Sequence, residues 1–310
     1  MHEATTTPAP GAAQKPGLAA VSPWRRFAAE FAESRVALAG LILLAAIVAV
    51  AIAAPLISPQ NPYDLAQLDV LDSKLAPGER SSTTGQPYWL GTDDQGRDML
   101  SGIFYGLRIS LSVGVASTVI ALSIGLVLGM AAAYFGGWVD AVIMRIADIQ
   151  LSFPAILIAL VLLAVLGQGV GKIIAALVTV QWAYYARTVR SSALVERQKE
   201  YVEAAKVLAL SQARIVFRHL LPNCLPPLIV VATVQVAHAI LLESTLSFLG
   251  LGLPITEPSI GLLISNGFQY LLSGKYWISF YPGVALLLTI VAINLVADQL
   301  RDVMNPRLKR

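Results

Sequence analysis

An all-α membrane protein with six transmembrane helices is the fold class this sequence predicts, and three observations predict it. Of its 310 residues 56% are hydrophobic and 13% charged, where a soluble domain carries about a quarter charged residues. Its mean hydropathy is +0.68. Its apolar residues gather into long runs, and most of its Lys and Arg sit at the ends of those runs. A net charge of +3 with this placement is a topology signal, not a nucleic-acid patch.

Residues 1–22 are rich in Ala, Pro and Thr with almost no large apolar side chains. Such a segment buries too little surface to offset its ordering entropy, and a disordered cytoplasmic tail is expected. Arg25, Arg26 and Arg35 then precede the apolar run Val36 to Ile57. A cleavable signal peptide carries a core of about 7 to 15 residues, whereas this run is long enough to span a bilayer, so 23–57 reads as a retained first helix and its flank.

Residues 58–104 hold Pro59, Pro62, Pro77 and Pro87 and read as an extracytoplasmic segment. Within it Thr92, followed three residues later by Gln95, fits a capping box, and Asp93, Asp94 and Asp98 suit a helix N-terminus. A short helix at the membrane surface is expected there. The alternative is a metal site, but the Asp spacing does not follow the calcium-loop pattern and no His is near.

The spans that follow are Leu111 to Tyr134, Ile149 to Leu166, Ile173 to Tyr185, Leu225 to Leu249 and Tyr281 to Ala297, a five-helix core over 105–300 that leaves 301–310 as the C-terminal end. The third span is interrupted by Pro154 and the fourth is short. In the second, Ala121, Gly125, Gly129 and Ala133 recur every four residues, a small-residue stripe that lets another helix approach closely. Gly167 to Lys172 is one residue short of a phosphate-binding loop and has no preceding strand, so it reads as an exterior turn. Cys224 is the only cysteine, which excludes an intrachain disulfide and reads as an apolar filler. Glu243 is the one carboxyl well inside a span, a candidate either for the translocation path or for a structural hydrogen bond at a subunit interface.

Placing the N-terminus inside puts sixteen of the 22 Lys and Arg residues in the cytoplasm and leaves Lys74, Arg80, Arg97, Arg108, Lys172 and Lys275 outside. The excess favours both termini in the cytoplasm.

Residues 187–222 form a cytoplasmic loop, because their basic residues and glutamates leave no apolar run long enough to cross. Tyr201, Ala205, Leu208 and Gln212 recur at helical spacing and give a mainly apolar face. Lys199 with Glu203, and Glu203 with Lys206, stand at ion-pair spacing. That face needs a partner, and composition alone allows either a protein or the lipid surface.

The words in this loop decide between them. Glu203-Ala204-Ala205, a turn at Ala209 and then Leu221-Pro222 resemble the EAA loop of ATP-binding-cassette importer permeases. YWLGTDDQGRD (88–98), RHLLPN (218–223), ESTLSFLGLGLP (243–254) and NLVADQLRDVMNPR (294–307) are similar to the second, C-type permease subunit of dipeptide, oligopeptide and nickel uptake systems. The extracytoplasmic word carries Gly91, Thr92, Asp93, Asp94, Arg97 and Asp98.

The resemblance implies a type I importer permease fold in a bacterial inner membrane. It also implies a heterodimer with a homologous sister permease, two cytoplasmic ATPases that bind ATP and Mg, an extracytoplasmic solute-binding protein, and no cofactor on this chain. Glu203, Ala204, Ala205 and Lys206 would be the contact with the ATPase, making this a non-catalytic transport subunit.

Where the family usually has Gly, this chain has Ala209. Either a strained left-handed turn is tolerated, at on the order of 1 kcal/mol, or the turn differs and Ser211 caps the next helix. Peptides are the expected substrate, with nickel chelates and opines as alternatives. A carrier or channel working without an ATPase is the other functional class, but no internal repeat supports it. A membrane enzyme is more remote, since His2, His219 and His238 are scattered.

Overall fold

The computed structural model describes residues 23–304 apart from Ile255 and Pro258. The expected tail 1–22 and most of the C-terminal end lie outside the described residues.

An amphipathic helix, α1 (Pro23–Ala32), leads into α2 (Arg35–Ile57), whose N-cap Ser34 accepts a bond from Ala37 N. α2 turns Ala37, Gly40, Ala51 and Ala54 inward and exposes Val36, Ile42, Ile52 and Leu56. That division suits a helix with protein on one side and hydrocarbon on the other, because small residues permit close packing where no hydrophobic force separates helix from lipid.

α3 (Met99–Phe135) runs for 37 residues, about 55 Å at the α-helical rise. It starts a dozen residues before the expected span. The expected capping box at Thr92 is replaced by a cap at Asp98, whose carboxylate accepts from Ser101 N at 2.9 Å and Ser101 Oγ at 2.6 Å. Residues 92–98 form no helix; they fold back as a turn with a bridge between Thr92 and Asp98. Thr92 is spent elsewhere, its hydroxyl donating to Asp72 O at 2.5 Å and accepting from Leu75 N at 2.8 Å. Asp93 accepts from Gln95 N at 2.8 Å and Arg97 N at 2.9 Å. Gly91, at φ +78°, brings its Cα to a place where a Cβ would stand 2.6 Å from Leu75 O. The motif is therefore the brace of the 58–98 segment, and Trp277 Nε1 ties it to the last helix through Thr92 O at 3.2 Å.

The third expected span is corrected. α4 (Gly137–Leu151) and α5 (Ala155–Leu166) meet at 91°, because Pro154 has no N–H to continue the ladder and disfavours helical backbone before it. α6 (Val170–Glu196) is longer than the expected fourth span. Its polar residues are paired, Arg187 with Asp148 and Arg190 with Asp140 on α4, and Trp182 Nε1 with Gln150 Oε1 at 2.6 Å.

The chain then continues through the short α7 (Glu200–Val207) and the one-turn α8 (Gln212–Arg214). A π-helical turn over Ile215–Leu220 follows, running straight into α9 (Leu221–Phe248). α10 (Ile260–Phe268), capped by Ser259, is a half-length helix that the sequence reading did not anticipate. α11 (Trp277–Met304) closes the bundle.

Among the described residues, four helices are long and apolar enough to cross a membrane: α2, α3, the continuous Gln212–Phe248 unit and α11; the bent α4–α5 pair makes a fifth. Length and hydropathy alone thus give five of the expected six spans; α6, whose second half carries Arg187 and Arg190, is not among them and lies packed against α3, α9, α4 and α5. The stripe of α3 lies against α6. A Cβ on Gly125 would stand 2.5 Å from Tyr185 Cβ, and one on Gly129 2.4 Å from Ala186 O. The stripe is the seat of α6.

Candidate functional site

The candidate site lies at the end of the bundle where α3 and α6 finish. Arg197, just past α6, donates to Ala133 O and reaches Tyr134 O at 3.4 Å. It thereby serves carbonyls that the end of α3 leaves without helical partners and places a cation on the negative end of the helix dipole.

α7 follows from Lys199, which caps it through extended backbone without a side-chain bond. Glu200 and Glu203 sit in its first turn and Lys206 in its last, each favourable to the dipole. The expected Lys199–Glu203 pair is replaced: Lys199 Nζ lies 2.5 Å from Glu196 Oε1. Lys199 stands outside the helix, so the i,i+4 geometry does not apply to it. Glu203 makes no ion pair among the described residues.

The helix stops after Val207 in a Schellman closure: Leu210 N donates to Ala205 O at 3.2 Å and Ala209 N to Lys206 O at 2.9 Å. Ala209 stands where glycine is usual, at φ 52°. The strained left-handed turn is thus the form adopted, and its two bonds and the partly buried Leu210 offset its strain. Ser211 makes no side-chain cap; only its carbonyl joins the next turn, accepting from Ile215 N at 3.1 Å.

This turn breaks the expected face of Tyr201, Ala205, Leu208 and Gln212. The residues turned inward are Val202 and Ala205, which join Ile215, Leu220 and Cys224 in a core continuous with Ala121 and Ala133 of the stripe. Turned outward are Glu203, Ala204, Lys206 and Ala209, with Val207 85% and Leu208 72% exposed. Ala205 is corrected from a contact residue to the root that seats the helix. Leu221 is half-buried and Pro222 exposed, at the foot of the loop on α9.

A chain of polar bonds fixes α7 from the side. Glu196 Oε2 accepts from Tyr201 Oη at 2.6 Å, and Tyr201 Oη accepts from Asn223 Nδ2 at 3.1 Å. Burial, and then the bond to Glu196, push the Tyr201 phenol up to about 12. Tyr134 Oη on α3 donates to Gln212 Oε1 at 2.5 Å, beside an apolar groove of about 320 Å³ lined by Leu126, Met130, Val216 and Phe217. Glu196, Arg197 and Asn223 were missed by sequence reasoning. The three-residue spacing of Glu196 and Lys199 was the available signal; that of Tyr201 and Asn223 bridges a turn whose shape spacing does not reveal.

Glu243 lies apart from this end. It is fully buried and accepts from Ser110 Oγ at 2.7 Å and Ser247 Oγ at 2.8 Å. The chain encloses it without help from another subunit, so as placed it faces neither an open path nor a subunit interface.

Residues 121–310 match the family model described as binding-protein-dependent transport system inner membrane component. The chain belongs to this family. Residues 22–77 of the permease also match the N-terminal TM domain of oligopeptide transport permease C. The permease is 37% identical to a dipeptide transport system permease protein of Alkalihalophilus pseudofirmus, over 94% of this chain and 92% of that one. It is 36% identical to a di/tripeptide transport system permease protein of Pseudomonas aeruginosa, over 96% of each. The MetNI methionine ABC transporter, in an inward-facing conformation, shares the fold at a TM-score of 0.51 and 20% identity, over 67% of this chain and 96% of that one. The permease is thus a multi-pass C-type subunit with the fold of an ABC importer permease, and the relatives that match it are transport subunits.

Proposed function

We propose that this permease forms half of the translocation pathway for short peptides in a heterodimer with a homologous sister subunit. A solute-binding protein delivers the peptide from outside, and two cytoplasmic ATPases drive the cycle. The observation that carries this reading is the outward face of α7: Glu203, Ala204, Lys206, Val207 and Leu208 exposed on a helix rooted by Val202 and Ala205. Exposed apolar side chains of this size rimmed by charge suit a protein cleft. In this reading ATP and Mg are held by the partners.

The peptide substrate rests on the names of the dipeptide and di/tripeptide relatives. The Lys and Arg distribution supports both termini and the loop 187–222 in the cytoplasm, with residues 58–98 outside.

Glu203→Arg tests the docking face. The variant is expected in the membrane at wild-type level, with the ATPases lost from the purified complex and dipeptide uptake reduced at least about a hundredfold, as loss of a central charged contact implies. Normal uptake by this variant would sink the assignment, and uptake of a nickel chelate or an opine in place of peptides would move the substrate class.

A further inference from the structure

Three polar side chains outside the docking face make one unbroken connection across the loop. Glu196 is the last residue of α6, Tyr201 lies in the first turn of α7, and Asn223 lies in the first turn of α9. Glu196 is 9% exposed and takes two donors, Lys199 Nζ at 2.5 Å and Tyr201 Oη at 2.6 Å. Tyr201 Oη takes its own donor from Asn223 Nδ2 at 3.1 Å, and the same Nδ2 donates to His219 O at 2.7 Å in the π-helical turn. Immediately beyond Glu196, Arg197 holds the last carbonyls of α3.

We propose that Tyr201 is a positioning residue for transport: its hydroxyl joins α6, α7 and α9, so that a displacement of α7 is carried into the bundle instead of being absorbed by the loop. The inference rests on the docking role given to α7 above. Its physical basis is the difference between the two sides of the loop. At the far end of α7 the chain passes through a left-handed turn closed only by backbone bonds, and the helix after it is one turn long. The inward face of α7 is Val202 and Ala205, small contacts that hold the helix against the core without fixing its rotation. A hydroxyl bonded on one side to a carboxylate and on the other to an amide fixes that rotation, because a charge-assisted bond and its neighbour have directional optima that packing lacks. Glu203, two residues on and facing outward, then moves as one body with Glu196 and Asn223.

The test uses the complete transporter, purified with its sister subunit and ATPases and reconstituted with its binding protein, comparing wild type with Tyr201→Phe, Asn223→Ala and the double variant. Tyr201→Phe keeps the ring and removes one oxygen. The expected result is ATPases retained in the complex, hydrolysis persisting, and dipeptide uptake per ATP hydrolysed lowered about tenfold, the factor that corresponds to about 1.4 kcal/mol, the scale of a hydrogen bond to a charged group. The double variant is expected to lose no more than the larger single loss, since both changes cut one connection.

Unchanged uptake per ATP in Tyr201→Phe, or losses that multiply in the double variant, would overturn the inference. Loss of the ATPases from Tyr201→Phe alone would also overturn it, by making Tyr201 a docking residue. A wild-type complex without ATPases would instead remove the docking reading itself.

Discussion

Asp93 and Asp72 show how the surroundings of one carboxylate set its behaviour. Asp72 accepts from Ser82 N, Ser82 Oγ and Tyr88 Oη. Burial acts upward on it, but these bonds and Ser81 outweigh burial and hold it at about 2. Asp93 is fully buried, and burial pushes it up to about 6 against the pull of the Arg97 N–H and guanidinium. A carboxyl raised in the folded state contributes stability that is fully present below its ordinary value near 4 and lost as pH rises through 6. Measured as unfolding midpoint against pH, wild type is therefore expected to lose on the order of 1–3 kcal/mol relative to Asp93→Asn between about pH 4 and 6. A constant difference across that range would show that Asp93 ionises normally in the fold. Neither value could be read from YWLGTDDQGRD, because spacing suggested a capping box where the actual partners of Thr92 are Asp72 and Leu75, some twenty residues back.

At the scale of elements, the period-four stripe on α3 was legible, since small side chains at that spacing meet a neighbour whatever the neighbour is. That the neighbour is α6 of the same chain was not legible. Gly129 is the tightest point, and Gly129→Val is expected to cost more than about 2 kcal/mol, because its new Cβ meets a backbone oxygen that cannot rotate away. Thermal unfolding of the detergent-solubilised variant measures this, and an unchanged midpoint would mean that α3 and α6 are not held this closely. Helix α7 failed the same kind of reading. Its expected face carried one helical period from Tyr201 to Gln212 across the turn that the family resemblance places at Ala209, and that left-handed residue ends the period. The fourth span was cut short for a related reason: hydropathy stops at the first Arg, whereas Arg187 and Arg190 continue α6 because Asp148 and Asp140 stand opposite them.

At the scale of the whole molecule, the braced 58–98 segment and the loop 187–222 lie at opposite ends of α3. With Cys224 buried, single cysteines report sidedness cleanly. In right-side-out membrane vesicles a membrane-impermeant thiol reagent is expected to label Trp89→Cys, whose native side chain is 68% exposed, and to leave Val207→Cys unlabelled until the vesicles are opened. The reverse pattern would invert the topology.

The sequence by itself determined the membrane class, the family and the polar loop 187–222, because composition, charge placement and linear words survive any change of packing. It also placed the turn at Ala209 and the stripe on α3. Only the tertiary structure decided which of Ala204 and Ala205 faces outward, that Thr92 braces a segment instead of capping a helix, that Pro154 turns a span through a right angle, and that Glu243 is enclosed by serines of its own chain. Apart from the angle at Pro154, these depend on which partner a polar or small residue meets in the folded chain, and local periodicity carries no record of that partner.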